Sequence, residues 1–138
     1  MDISELSSKI IGAAIEVHRV LGPGLLESVY EECLCHELDL QGMFFERQKP
    51  LTVAYKGKNL DCGYRLDLVV EKEIILELKS CDNIEPIHRA QLLTYLKLSG
   101  LHLGLILNFQ CAGDEERDRS RRKQVTRIGG SPFCFPLK

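Results

Sequence analysis

The chain has 138 residues, 44% of them apolar and 28% charged, with a formal net charge of −2. That length supports one domain, 1–138, with a core of useful size, and the near-neutral balance excludes a polybasic nucleic-acid binder, so any polyanion contact must come from a local patch. The apolar runs fall well short of the ~20 residues that cross a bilayer, and Asp2 and Glu5 stand where a signal peptide would need a basic segment and an apolar run. No membrane partner is expected, and the expected compartment is cytoplasmic.

In chain order, residues 4–20 read as a helix. Ile10, Ile11, Ala14, Ile15, Val17, His18 and Leu21 recur near a 3.6 period, and Asp2 or Ser4 could cap the start. Leu21-Gly-Pro-Gly24 breaks the chain. A second helix, about 25–40, carries Leu26, Val29, Tyr30, Cys33, Leu34 and Leu38 on its apolar side and stops at Gly42.

Strand signals follow. Residues 44–55 alternate around Leu51, Val53 and Tyr55, Lys56-Gly-Lys-Asn59 reads as a hairpin turn, and 60–70 forms the next strand. Glu71-Lys-Glu73 then turns tightly into 74–79, which completes an antiparallel meander. Pro86 suits the first turn of a helix reaching about Leu98, with Gly100 as its stop. The nearly all-apolar run 101–109 reads as a buried strand, and 125–128 could add an edge strand. The six cysteines include no CxxC pair, and Cys33 and Cys35 point to different sides of a helix. They read as scattered reduced thiols.

The chemistry concentrates in Arg65-Leu-Asp-Leu-Val-Val-Glu-Lys-Glu-Ile-Ile-Leu-Glu-Leu-Lys-Ser80. Glu77 and Lys79 share one face of a strand whose other face carries Ile74, Leu76 and Leu78. Charges in a central strand are costly unless they are paired or bind a metal. Two carboxylates on adjacent strands, Asp67 and Glu77, with the Leu78 backbone carbonyl, suit Mg2+ or Mn2+, which take oxygen ligands and keep several waters. Lys79 would orient the attacking water or neutralise a phosphate. An isolated E-x-K reads more simply as a structural ion pair. Tyr30 and Tyr95, taken alone, read as core residues with satisfied hydroxyls. The spacing of Gln91 and Tyr95, i and i+4, and of Glu27 and Tyr30, i and i+3, nevertheless puts polar groups on otherwise apolar helix faces.

Gly24-x-x-Glu27-x-x-Tyr30 resembles the signature of the GxxExxY protein family, which is placed in the PD-(D/E)XK nuclease-like superfamily. Asp67 followed by Glu77-Leu-Lys79 looks like that superfamily's D…ExK, and Gln91-x-x-x-Tyr95 looks like the QxxxY motif of its exonuclease-type branch. The likeness extends over about residues 3–109 and includes Leu103-Gly-Leu-Ile-Leu-Asn-Phe109. It implies an α/β (mixed α+β) restriction-endonuclease-like core: a central mixed sheet with a three-stranded antiparallel meander, flanked by helices. It also implies that Glu27 reaches the metal site as a ligand or supporting acid, and that Gln91 and Tyr95 line it. His88, three residues before Gln91, could join that face or serve as an exposed or C-capping histidine.

The expectation is therefore a Mg2+- or Mn2+-dependent nuclease acting on DNA in preference to RNA. The alternative is a catalytically silent nucleic-acid-binding or protein-interaction module on the same fold. The charged tail, 112–138, contains Arg119, Arg121, Arg122 and Lys123 as candidate phosphate contacts, against a reading as a solvated loop. An edge strand or Phe133-Cys-Phe135 could pair with a second copy in a homodimer.

Overall fold

The computed structural model describes residues 1–110 and 125–129. Three helices, α1 (Ile3–Leu21), α2 (Glu27–Leu40) and α3 (Pro86–Ser99), accompany strands β1 (Phe45–Tyr55), β2 (Lys58–Val70), β3 (Ile74–Lys79), β4 (Leu103–Asn108) and β5 (Val125–Gly129). The strands form one sheet in the order β1-β2-β3-β4-β5. Pairing is antiparallel except for β3 with β4, which run parallel because α3 carries the chain across.

Local chemistry explains the boundaries. Asp2 Oδ1 accepts the Glu5 amide at 2.8 Å and caps α1. Pro86 supplies the first turn of α3, whose start is a capping box between Glu85 and His88, and Gly100 ends it in the left-handed conformation. The β1–β2 hairpin turns at Lys56 and Gly57, both with positive φ, as a two-residue loop requires.

The sheet is covered on both faces. Leu6, Ile10, Ala14 and Val17 of α1 and Tyr30, Leu34 and Leu38 of α2 pack on Leu68, Val70, Ile74, Leu76, Leu78, Leu103, Leu105 and Leu107. On the opposite face, Leu92, Tyr95 and Leu96 of α3 cover Leu51, Leu66, Val69, Ile75 and Ile106. The close approach of α3 requires Gly104, where an added Cβ would meet the Leu92 side chain at 2.7–2.8 Å.

Two expected helix faces are corrected. In α2, Leu26 and Val29 are 75% and 39% exposed, whereas Glu31 and Cys35 are buried. Leu26 is the N-cap and stands outside the helix, so Tyr30, Leu34 and Leu38 set the stripe. In α1, Ile10, Ala14 and Val17 are buried as expected, and Ile11 and Leu21 pack half-buried against the same core. Leu6 and Ala13 join the buried line, and only Ile15 and His18 fall at its half-buried margin. Cys33, Cys35, Cys62 and Cys81 are free thiols. Among the described residues, no helix is long and apolar enough to cross a membrane.

Two irregularities shape the meander. Strand β2 pairs with β3 only at Leu68, Val69 and Val70, so the β1–β2 ribbon leaves the ladder beyond Leu68, while Leu51 and Leu66 stay buried under α3. Within that ribbon the register slips between the pairs Pro50–Arg65 and Thr52–Asp61. Leu51 thus faces residues 62–64, and the bulge is seated on Gly63, at φ +75, whose N–H donates to Asp61 Oδ1 at 2.8 Å.

Candidate active site

Strand β3 lies in the middle of the sheet, and its residues from Ile74 to Leu78 are buried. Glu77 is therefore a carboxyl in an otherwise apolar strand, 8% exposed. It shares the α3 face with Ile75 and Lys79. Opposite, the Asp67 carboxylate takes a position that the backbone ladder would otherwise fill. Its Oδ2 accepts the Leu78 amide at 2.9 Å, and the Asp67 amide points at Glu77 Oε1 at 3.4 Å. The N–H and C=O of one strand residue point the same way, so the Leu78 carbonyl also opens toward Asp67.

Electrostatics follow from this packing. Burial is the main cause that pushes the Glu77 carboxyl up to about 8, and the Asp67 charge beside it adds to the shift. Burial also raises Asp67; the Leu78 amide and Lys79 oppose the rise, and the charges of Glu31 and Glu27 reinforce it. Among the described residues no ion pair joins Glu77 to Lys79. Two desolvated acids whose carboxyls are both shifted toward the protonated form would also favour a hard cation, because the same missing positive charge drives both. The donor set fits one: Asp67, Glu77 and the Leu78 carbonyl could hold a divalent ion that keeps waters in its remaining positions. The described residues contain no group of three or more His, Cys, Asp or Glu side chains gathered to hold a metal.

Glu27, exposed in the first turn of α2, stands at the margin. Its Oε1 accepts the Ser80 amide at 3.3 Å, just past Lys79. Ser80 Oγ lies 3.1 Å from the Leu25 carbonyl, which ties the end of β3 to the loop before α2. That loop is built on Gly24, at φ +93. Tyr30 holds it: the buried hydroxyl donates to the Gly22 carbonyl at 2.6 Å and accepts the Leu25 amide at 3.1 Å, while its ring stacks on Phe109 at 4.4 Å. Tyr30 is thus a core residue with a satisfied hydroxyl.

Helix α3 brings up the remaining residues. Tyr95 is 9% exposed and packs in the cluster with Leu66, Val69 and Ile75, and its hydroxyl is shifted up by burial, then by the charges of Glu77, Tyr64 and Asp67. Gln91 is exposed one turn earlier. His88 caps the start of α3 and not its C-terminal end, because at the third helical position its Nδ1 reaches back to accept the Glu85 amide at 3.0 Å. Arg119, Arg121, Arg122, Lys123 and Phe133-Cys-Phe135 lie outside the described residues.

The sequence reading passed over several neighbours. Glu31 is buried because Arg47 and Gln48 hold its two oxygens at 2.9 and 2.8 Å. Gln48 stands opposite Asp67 at positive φ, unpaired in the ladder. Asn108, buried beside Lys79, grips the Cys81 backbone through Nδ2 to the carbonyl at 2.8 Å and Oδ1 from the amide at 3.2 Å. A glutamate and an asparagine read as surface residues until their partners are known.

Helices on both faces of a mixed five-stranded sheet, with an antiparallel meander leading into a parallel crossover, constitute a restriction-endonuclease-like fold. The family model described as the PD-(D/E)XK nuclease superfamily matches residues 4–122, and the chain belongs to that superfamily. No curated protein and no solved structure matches the chain. Membership supports a nuclease-type function on a nucleic-acid substrate, and nucleases of this superfamily generally use divalent metals.

Proposed function

We propose that this protein is a Mg2+- or Mn2+-dependent nuclease that hydrolyses phosphodiester bonds, in DNA in preference to RNA. The observation that carries the reading is the opposition of Asp67 and Glu77 across the gap where β2 leaves β3, with Lys79 on the Glu77 face. Asp67, Glu77 and the Leu78 carbonyl would hold the cation, with Glu27 in reserve at the Ser80 amide. When bound, such an ion would let a water lose its proton more readily and so become nucleophilic, and would supply positive charge for the transition state. Lys79 neutralises the phosphate or orients the water. Tyr95 and Gln91 border the path of the strand. The pairing of Gly24, Glu27 and Tyr30 in one loop-to-helix turn against the end of β3 supports the finer assignment to the GxxExxY branch.

The test is cleavage of labelled single- and double-stranded DNA with Mn2+. Expected are cuts abolished by chelator and by Glu77→Ala. Activity that survives both would overturn the mechanism. A protein that binds Mn2+ and oligonucleotide yet cuts neither strand form would be the silent module.

A further inference from the structure

Tyr64 is accounted for by neither the core nor the metal chemistry. It is 54% exposed, although it lies only three residues before Asp67, about 10 Å along an extended strand. Its ring centroid is 6.0 Å from that of Tyr95, at an interplanar angle of 49°. The bulge at residues 62–64 sets this placement, with Gly63 in a conformation that side chains rarely adopt and Asp61 fixing the turn. Bulges beside active sites serve to re-aim a side chain.

The surroundings carry a matching charge. Residues 55–65 contain three cations, Lys56, Lys58 and Arg65, all exposed, against one acid, Asp61, in a chain whose net charge is −2. That acid is engaged with the Gly63 amide. The β1–β2 hairpin thus carries a local excess of positive charge and an outward aromatic close to the Asp67–Glu77 pair. A base within a duplex has its faces covered by its neighbours, whereas an unpaired base can lie on an aromatic ring, in contacts worth about 1–3 kcal/mol each.

We propose that Tyr64, backed by Tyr95 and followed by the exposed Arg65, is a stacking platform for an unpaired base next to the scissile phosphate. The site therefore takes single-stranded or frayed nucleic acid in preference to intact duplex. The inference rests on the nuclease reading above for the meaning of "scissile", but the contact itself is a matter of binding.

Binding and cutting are separated by working in chelator with the Asp67→Asn protein, using a labelled single-stranded oligodeoxynucleotide and its blunt duplex as probes. The single strand should bind more tightly than the duplex. Tyr64→Ala and Tyr64→Leu should each weaken single-strand binding about 5- to 150-fold, the equivalent of one stacked base, while Tyr64→Phe binds as the parent. A 2-aminopurine in the strand should be quenched by the parent and by Tyr64→Phe, and not by Tyr64→Leu. Equal binding by all variants, equal losses on strand and duplex, or no binding of the single strand at all would overturn the proposal. Metal-dependent cutting of duplex by the wild type would persist in that case and leave the nuclease reading intact.

Discussion

The Leu78 amide donates to Asp67 Oδ2 at 2.9 Å, one residue past Leu68 on β2 and two past Leu76 on β3, where the β2–β3 pairing ends. A side-chain carboxylate thereby replaces a rung of the ladder and holds β2 and β3 apart where the acids meet. Asp67→Ala leaves the Leu78 N–H without an acceptor and should cost about 1–3 kcal/mol. Asp67→Asn keeps an acceptor oxygen and should stay near wild-type stability. Urea melts at pH 6, where Glu77 retains its proton, separate the two, and both variants should lose cleavage. Equal stability of the two variants would mean that the hydrogen bond contributes little.

The raised carboxyl of Glu77 sets a pH dependence of defined sign. Its folded value of about 8 lies above the ordinary 4.5. Between these values the native state holds a proton that the unfolded chain has released, so stability falls as pH rises through the window and the loss is complete above about 8. Glu77→Gln should flatten that slope. In chelator at pH 8 it should melt above wild type by about 3 °C or more, with the gap closing toward pH 5. A wild-type melting curve that does not decline over this range would contradict the picture.

Cation binding should reverse the same penalty. Mn2+ in excess should raise the melting temperature, by the equivalent of about 2.7 kcal/mol at a hundred times its dissociation constant. The rise should be largest above pH 8, where no proton competes, and absent in Glu77→Gln and Asp67→Asn. Thermal melts with and without Mn2+ at pH 6 and pH 8.5 measure it.

Gly104→Ala tests the seating of α3. The added methyl would meet Leu92 at 2.7–2.8 Å, and the helix must shift or strain at a cost of about 1–3 kcal/mol. Gln91 and Tyr95 ride on that helix, so cleavage should fall even at temperatures where the protein stays folded. Adding Leu92→Ala makes room for the methyl, and the double variant should lose less stability than the two single losses combined.

Much of this was legible in the residues. Pro86 and Gly100 mark the ends of α3, Asp2 marks the start of α1, and Glu77-Leu-Lys79 alternates as a strand must. Those signals are local, because each follows from the conformational habits of one or two residues. What escaped depends on register and on distant partners. Nothing in Leu26 or Val29 reveals that α2 starts one residue after Leu26 and turns both outward. Glu31 looks like a surface residue until Arg47 and Gln48 arrive from another strand. The bulge that aims Tyr64 depends on how β1 and β2 slip past each other, and Gly63 was its sole local signal.

The two acids also belong to a single tight hairpin, joined through the turn at residues 71–73, whereas Lys79 meets Asn108 only after α3 has carried the chain across. Hairpins close in about 1–10 μs, and non-local pairings come later. Like charges are thus forced together early in folding, before the outer layer is complete. Acid or a divalent cation should accordingly accelerate refolding as well as slow unfolding, so that whatever neutralises Asp67 and Glu77 in the folded chain would also assist its assembly.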